Sequence, residues 1–116
     1  EFGQDIQCYA RILNLIVHFD LGNDILVSYK IKSVYRFLLQ RNQLQKVLQE
    51  IFKFLRRTPQ IKEEDLKSEF KTLRVKLYQL KKDPFERRPF LYLDIISWLD
   101  SKIHNVTMQE AIKKLL

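Results

Sequence analysis

Apolar residues recur along this chain at three- and four-residue steps, the spacing that lines one face of an α-helix. From 5 to 20, Ile6, Tyr9, Leu13, Ile16 and Val17 fall into this pattern, and Ile12, Leu15 and Phe19 widen the face. Gly22 supplies a stop, and Asn23 or Asp24 a cap for the helix that follows. Between 25 and 41 no breaker appears, and Ile25, Leu26, Tyr29, Ile31, Val34, Tyr35, Phe37, Leu38 and Leu39 surround the axis. A helix apolar on most sides is expected to pack between neighbours.

Asn42 and Gln43 are the candidates for the next turn. Over 44 to 57 the pattern becomes strictly amphipathic: Leu44, Val47, Leu48, Ile51, Phe52, Phe54 and Leu55 form one stripe, with Lys46, Lys53, Arg56 and Arg57 opposite. "TPQ" at 58 to 60 ends this helix, because the residue before a proline is driven from the helical region. In "EEDLKSEFKTLRVKLYQLKKD" the residues Leu66, Phe70, Leu73, Leu77 and Leu80 keep step, with acids in the first turn and lysines at the end, as the helix dipole prefers.

The stretch "KKDPFERRPFLYLDIISWLD" is harder to read. Asp83 and Pro84 suit a helix start, with Glu86 at capping-box spacing, but Pro89 would forfeit a hydrogen bond inside a helix. Either 84 to 88 form a separate turn or the helix kinks. Beyond Pro89 the chain is apolar nearly all round to Ile103, so Phe90, Leu91, Leu93, Ile95, Ile96, Trp98 and Leu99 are expected in the core, with Tyr92 reaching solvent. Thr107 and Glu110 open a short last helix that turns Ala111, Ile112 and Leu115 inward. The pattern thus predicts an all-α chain of about six helices, joined by short turns as antiparallel hairpins within a single helical domain spanning 1 to 116.

Composition agrees with this picture. With 46% hydrophobic residues, two glycines and three prolines in 116 residues, the chain can bury a core and lacks the punctuation of a many-stranded fold. Glu1-Phe2-Gly3, without an initial methionine, reads as a cloning remnant or the cut edge of a longer protein. The lone Cys8 is expected to be a buried small residue in a reducing, cytoplasmic compartment. Asp94 and Asp100 interrupt the longest apolar run, so no membrane span is expected.

Catalytic constellations are nearly absent, and no enzyme, cofactor or metal site is expected. His18 and His104 stand near helix ends without a Cys, His or Glu at ligand spacing. Gly3 and Gly22 are isolated and form no phosphate-cradling loop. Glu63, Glu64 and Asp65 suit a helix N-terminus in water. Asp94 and Asp100 lie near Trp98 and call for a cationic partner, for which Arg87, Arg88 and Lys102 are the candidates.

Charge is the more informative signal. Residues 25 to 60 hold Lys30, Lys32, Arg36, Arg41, Lys46, Lys53, Arg56 and Arg57 against Glu50 alone, eight minus one, which equals the whole chain's net charge of +7. Arg36, Lys46, Lys53, Arg56 and Arg57 are the candidate partner-binding face. Such a field suits an acidic protein segment or, as the alternative, nucleic acid, although any solvated helix face also carries charge. "VYRFL" at 34 to 38 and "IFKFL" at 51 to 55 match in chemistry, a partial echo that repetition or convergence would produce.

The stretch "LGNDILVSYKIKSVYRFL" at 21 to 38 resembles the turn and second helix of a degenerate tetratricopeptide (TPR)-like repeat. "YARILNLIVHFDLGNDILVSYKIKSVYRFLLQRNQL" together with "DPFERRPFLYLDIISWLDSKI" is similar to the C-terminal portion of large bacterial proteins that carry such repeats. The resemblance implies a TPR-like superhelix or compact bundle that serves as a protein-interaction scaffold, with no activity, cofactor or catalytic residue. Its partners would be another protein or upstream repeats of the same chain. Ser28, Val34 and Tyr35 stand where such repeats carry small residues, which favours a compact end domain.

Overall fold

The computed structural model of the chain describes residues 2–41 and 45–115, and those residues form helices and turns with no strand. They contain seven α-helices rather than about six: α1 (Phe2–Asp20), α2 (Asp24–Gln40), α3 (Lys46–Arg57), α4 (Glu63–Leu80), α5 (Arg88–Tyr92), α6 (Ile95–His104) and α7 (Met108–Leu115). Two 3-10 turns, Thr58–Gln60 and Pro84–Glu86, complete the order. The expected turn at Asn42 and Gln43, and the expected core residue Leu44, lie outside the described residues.

The extra helix comes from the proline-rich junction. Asp83 accepts a hydrogen bond from the Phe85 amide, so Pro84 opens a separate 3-10 turn, and Pro89 falls in the first turn of α5, where its missing N–H costs nothing. Leu93 is then extended (φ −125°, ψ 126°), which separates α5 from α6. Glu86, expected as a capping residue, is buried instead. Leu91, expected in the core, is 81% exposed.

Two helix ends share one chemistry. At the end of α1, Gly22 takes φ +77°, which lets its amide reach the Phe19 carbonyl and the Asn23 amide reach that of His18. At the end of α6, Asn105 takes φ 53° and the Val106 amide bonds the Ser101 carbonyl. Asparagine tolerates this left-handed conformation better than other side-chain-bearing residues.

The chain divides into two compact units, Glu1–Pro59 and Gln60–Leu116. In the N-terminal unit α2 packs against both α1 and α3. Its buried side chains are Cys8, Tyr9, Ile12, Leu15 and Ile16 of α1, Val27, Ile31, Val34 and Leu38 of α2, and the full stripe from Val47 to Leu55 on α3. In the C-terminal unit α4 packs against α6 rather than against its chain neighbour, and α7 covers α6. Phe70, Leu73 and Leu77 there meet a buried set that includes Ile95, Trp98, Leu99 and Ile103, with Trp98 edge-on to Phe70 (centroids 5.8 Å apart, planes at 85°).

Two expectations for the N-terminal unit are corrected. Ile6, Leu13 and Val17 are exposed, so the core face of α1 joins Tyr9 and Ile16 of the expected stripe with Cys8, Ile12 and Leu15. Nor is α2 enclosed: Ile25 and Tyr29 stand 90% and 79% exposed, and Leu39 and Leu26 also reach solvent.

Candidate functional site

With about 100° of rotation per residue, positions spaced 4, 3 and 4 apart stack into one row along a helix. α1 carries three such rows. Its core row is flanked on one side by Gln7, Arg11, Asn14 and His18, and on the other by Ile6, Ala10, Leu13 and Val17. The polar row faces α2, because Asn14 accepts a hydrogen bond from Lys30 (3.0 Å) and the Arg11 guanidinium lies 3.8 Å from the Phe37 ring centre. The apolar row is therefore the flank turned away from α2, and all four of its residues are exposed.

Phe37 is the hub between α1 and α2. Arg41 lies over the same ring at 3.5 Å while donating to the Phe37 carbonyl at 3.1 Å, so two guanidinium groups share one phenyl ring. Arg11, Lys30 and Arg41 are thus engaged within the unit.

The sequence-predicted basic face separates into two parts. Lys46, Lys53 and Arg57 stand on one row of α3 with Glu50, which pairs with Lys53 at 3.7 Å. Arg56 lies one turn beyond Phe52, and Phe52 meets Tyr35 of α2 edge-on (6.0 Å, 77°). That contact joins the second positions of the "VYRFL" and "IFKFL" echo and turns Arg56 toward α2. On α2 the exposed row is Ile25, Tyr29, Lys32 and Arg36. The structure thus places Arg36 on the exposed row of α2, Arg56 one turn from the α2–α3 aromatic contact, and Lys46, Lys53 and Arg57 on a separate row of α3. Ile25 and Tyr29 were absent from the sequence-predicted face, although their spacing ahead of Lys32 and Arg36 was the available signal.

No family model, curated protein or solved structure matches the chain.

The C-terminal unit holds a charged pair with bidentate geometry. Arg74 Nε donates to Asp100 Oδ1 at 2.6 Å and Nη2 to Oδ2 at 3.4 Å. The partner of Asp100 is thus Arg74 rather than Arg87, Arg88 or Lys102, while Asp94 is exposed at the start of α6. A depression of about 500 Å³ beside the pair is lined by Lys71, Val75, Ile103, His104 and Ala111, among others. Arg74 is paired with Asp100, Lys114 joins Lys71 in the lining, and no serine, threonine or cysteine stands beside His104 there. Among the described residues no three His, Cys, Asp or Glu side chains cluster as metal ligands. Cys8 is buried, and His18 Nδ1 meets the side-chain Nδ2 of Asn23 at 3.1 Å. Among the described residues no helix is long and apolar enough to cross a membrane.

Proposed function

We propose that this chain is a non-enzymatic helical scaffold domain of a cytoplasmic, TPR-like repeat protein, closing a stack of helices and serving protein–protein contact. The observation that carries the reading is the exposed apolar row Ile6, Ala10, Leu13 and Val17 on the flank of α1 turned away from α2. Three turns of aligned apolar side chains at coiled-coil spacing fit a further helix, and in a stacked-helix protein each unit covers such a face of the next. The nucleic-acid alternative has less behind it, because Glu50 sits within the Lys46, Lys53 and Arg57 row and would oppose phosphates.

Hydrogen exchange tests the reading. In a form that carries the proposed upstream repeats, the amides of α1 should exchange at least about tenfold more slowly than in the 116-residue chain alone. Leu13→Glu should remove that added protection without unfolding the short chain, since Leu13 is 53% exposed in it. Equal exchange of α1 in the two forms overturns the proposal.

A further inference from the structure

The row on α2 has a composition different from that on α1. Ile25 and Tyr29 are the two apolar residues of the row, and Lys32 and Arg36 continue it over the next two turns, the whole spanning roughly 16 Å of helix. The contact of Tyr35 with Phe52 fixes which side of α3 adjoins this row. Lys32, one turn before Tyr35 on α2, and Arg56, one turn after Phe52 on α3, are both exposed beside that contact. At the N-terminal end of the row a shallow pocket formed by Gly22, Asn23, Asp24, Ile25, Leu26 and Tyr29 offers a seat for an apolar side chain.

We propose that this edge of α2, together with Arg56 of α3, is a docking surface for an acidic amphipathic helix of another protein. Charge complementarity selects the partner. The window 25 to 60 carries the whole net charge of +7, and while Lys30 and Arg41 of that window are engaged internally, Lys32, Arg36 and Arg56 extend into solvent. Apolar complementarity narrows it further, since Ile25 offers nothing to a phosphate backbone, and Asp24 lines the apolar end of the site. The partner helix seats an apolar residue at Ile25 and Tyr29 and places its carboxylates one to three turns on, against Lys32, Arg36 and Arg56. This is the helix-in-groove mode of recognition, read as anchors at i, i+3/i+4 and i+7. The surface lies away from the apolar row of α1, and its test is independent of the end-domain reading.

Fluorescence anisotropy with the full 116-residue chain provides the test. The probe is a labelled synthetic helix with leucines at i, i+4 and i+7 flanked by glutamates, compared with the same peptide carrying Gln for every Glu and with single-stranded DNA. The glutamate peptide should bind at least about tenfold more tightly than the glutamine peptide. Tyr29→Ala and the double variant Lys32→Glu/Arg36→Glu should each weaken it about tenfold or more. A peptide with lysines in place of the glutamates should bind the double variant better than the parent, a rescue that a misfolded variant would not give. Equal binding of the glutamate and glutamine peptides, indifference to Tyr29→Ala, or displacement of the peptide by single-stranded DNA at lower concentration overturns the proposal.

Discussion

In the N-terminal unit Arg11 and Arg41 lie over the ring of Phe37, at 3.8 and 3.5 Å from its centre, whereas in the C-terminal unit Arg74 is held by the carboxylate of Asp100 at 2.6 Å. The difference follows from what each region has to offer a guanidinium. Residues 25 to 60 contain one acid, Glu50, which meets Lys53, and within that window Arg41 is received by a ring face and a backbone carbonyl, while Arg11 of α1 reaches the same ring. Neither acceptor cancels charge. The ring thus holds Arg11 and Arg41 without cancelling their charge, while the ion pair in the C-terminal unit consumes both charges. A field left intact beside the exposed Ile25 and Tyr29 is what makes the N-terminal unit the better candidate for recognition.

The largest effect should come from the aromatic pair of the C-terminal unit. Trp98 is 3% exposed and meets Phe70 edge-on, so Trp98→Ala removes both a large buried volume and the ring contact, at a cost of about 3–5 kcal/mol. In the N-terminal unit Tyr35 is half-buried against Phe52, so Tyr35→Ala should cost less, about 1–2 kcal/mol. Denaturant unfolding followed by circular dichroism measures the two. A Tyr35→Ala cost equal to that of Trp98→Ala would mean that the two units rely on their aromatic pairs alike.

How much of this was legible in the sequence varied by helix. On α3 every described apolar residue assigned to the stripe is buried and every basic residue opposite it is exposed, because a single apolar face admits one packing. On α1 and α2 the same periodicity misled. Ile6, Leu13 and Val17 keep helical step with the core as well as with one another, and a one-dimensional pattern does not separate a second apolar row from a wider first one. The junction was half legible: the prolines announced a separate turn, but the break at Leu93, which ends α5 and frees Leu91, depends on how the chain must redirect to bury Ile95 and Trp98. The partner of Asp100 was not legible, since Arg74 lies far away in sequence and reaches it only because α4 packs on α6.

The two arginine settings can be set against each other directly. Asp100→Ala leaves a partly exposed guanidinium unpaired and should cost about 1–2 kcal/mol, between the values of surface and buried pairs. Phe37→Leu keeps an apolar side chain but removes the ring under Arg11 and Arg41 and should cost about 1–2 kcal/mol. Similar costs in dilute salt should diverge on screening. Raising ionic strength from about 0.1 M to about 1 M shortens the Debye length from roughly 10 to 3 Å, which reduces the penalty of Asp100→Ala. The Phe37→Leu penalty should hold, because the cation–ring contact is at van der Waals distance and carries stacking as well as charge. Parallel salt titrations of the two variants check this, and an equal loss of both penalties would erase the distinction between the units.

The smallest effects test whether the interior of the C-terminal unit is as fully satisfied as its ion pair suggests. Ser97 and Ser101 lie one turn apart on α6, and both are buried. The Ser101 hydroxyl donates to the Trp98 carbonyl, whereas the Ser97 hydroxyl has no hydrogen-bond partner among the described residues. Burying an unpaired hydroxyl costs desolvation with no return, while a paired one roughly breaks even or better. Ser97→Ala should therefore raise stability by about 0.5–1 kcal/mol, helped by the higher helix propensity of alanine, and Ser101→Ala should lower it or leave it unchanged. Opposite signs are the expected result of chemical denaturation. If Ser97→Ala destabilises, its hydroxyl is satisfied in solution, and the N-terminal unit, with the Gln45 Oε1 atom buried and unpartnered among the described residues, keeps the less satisfied interior of the two.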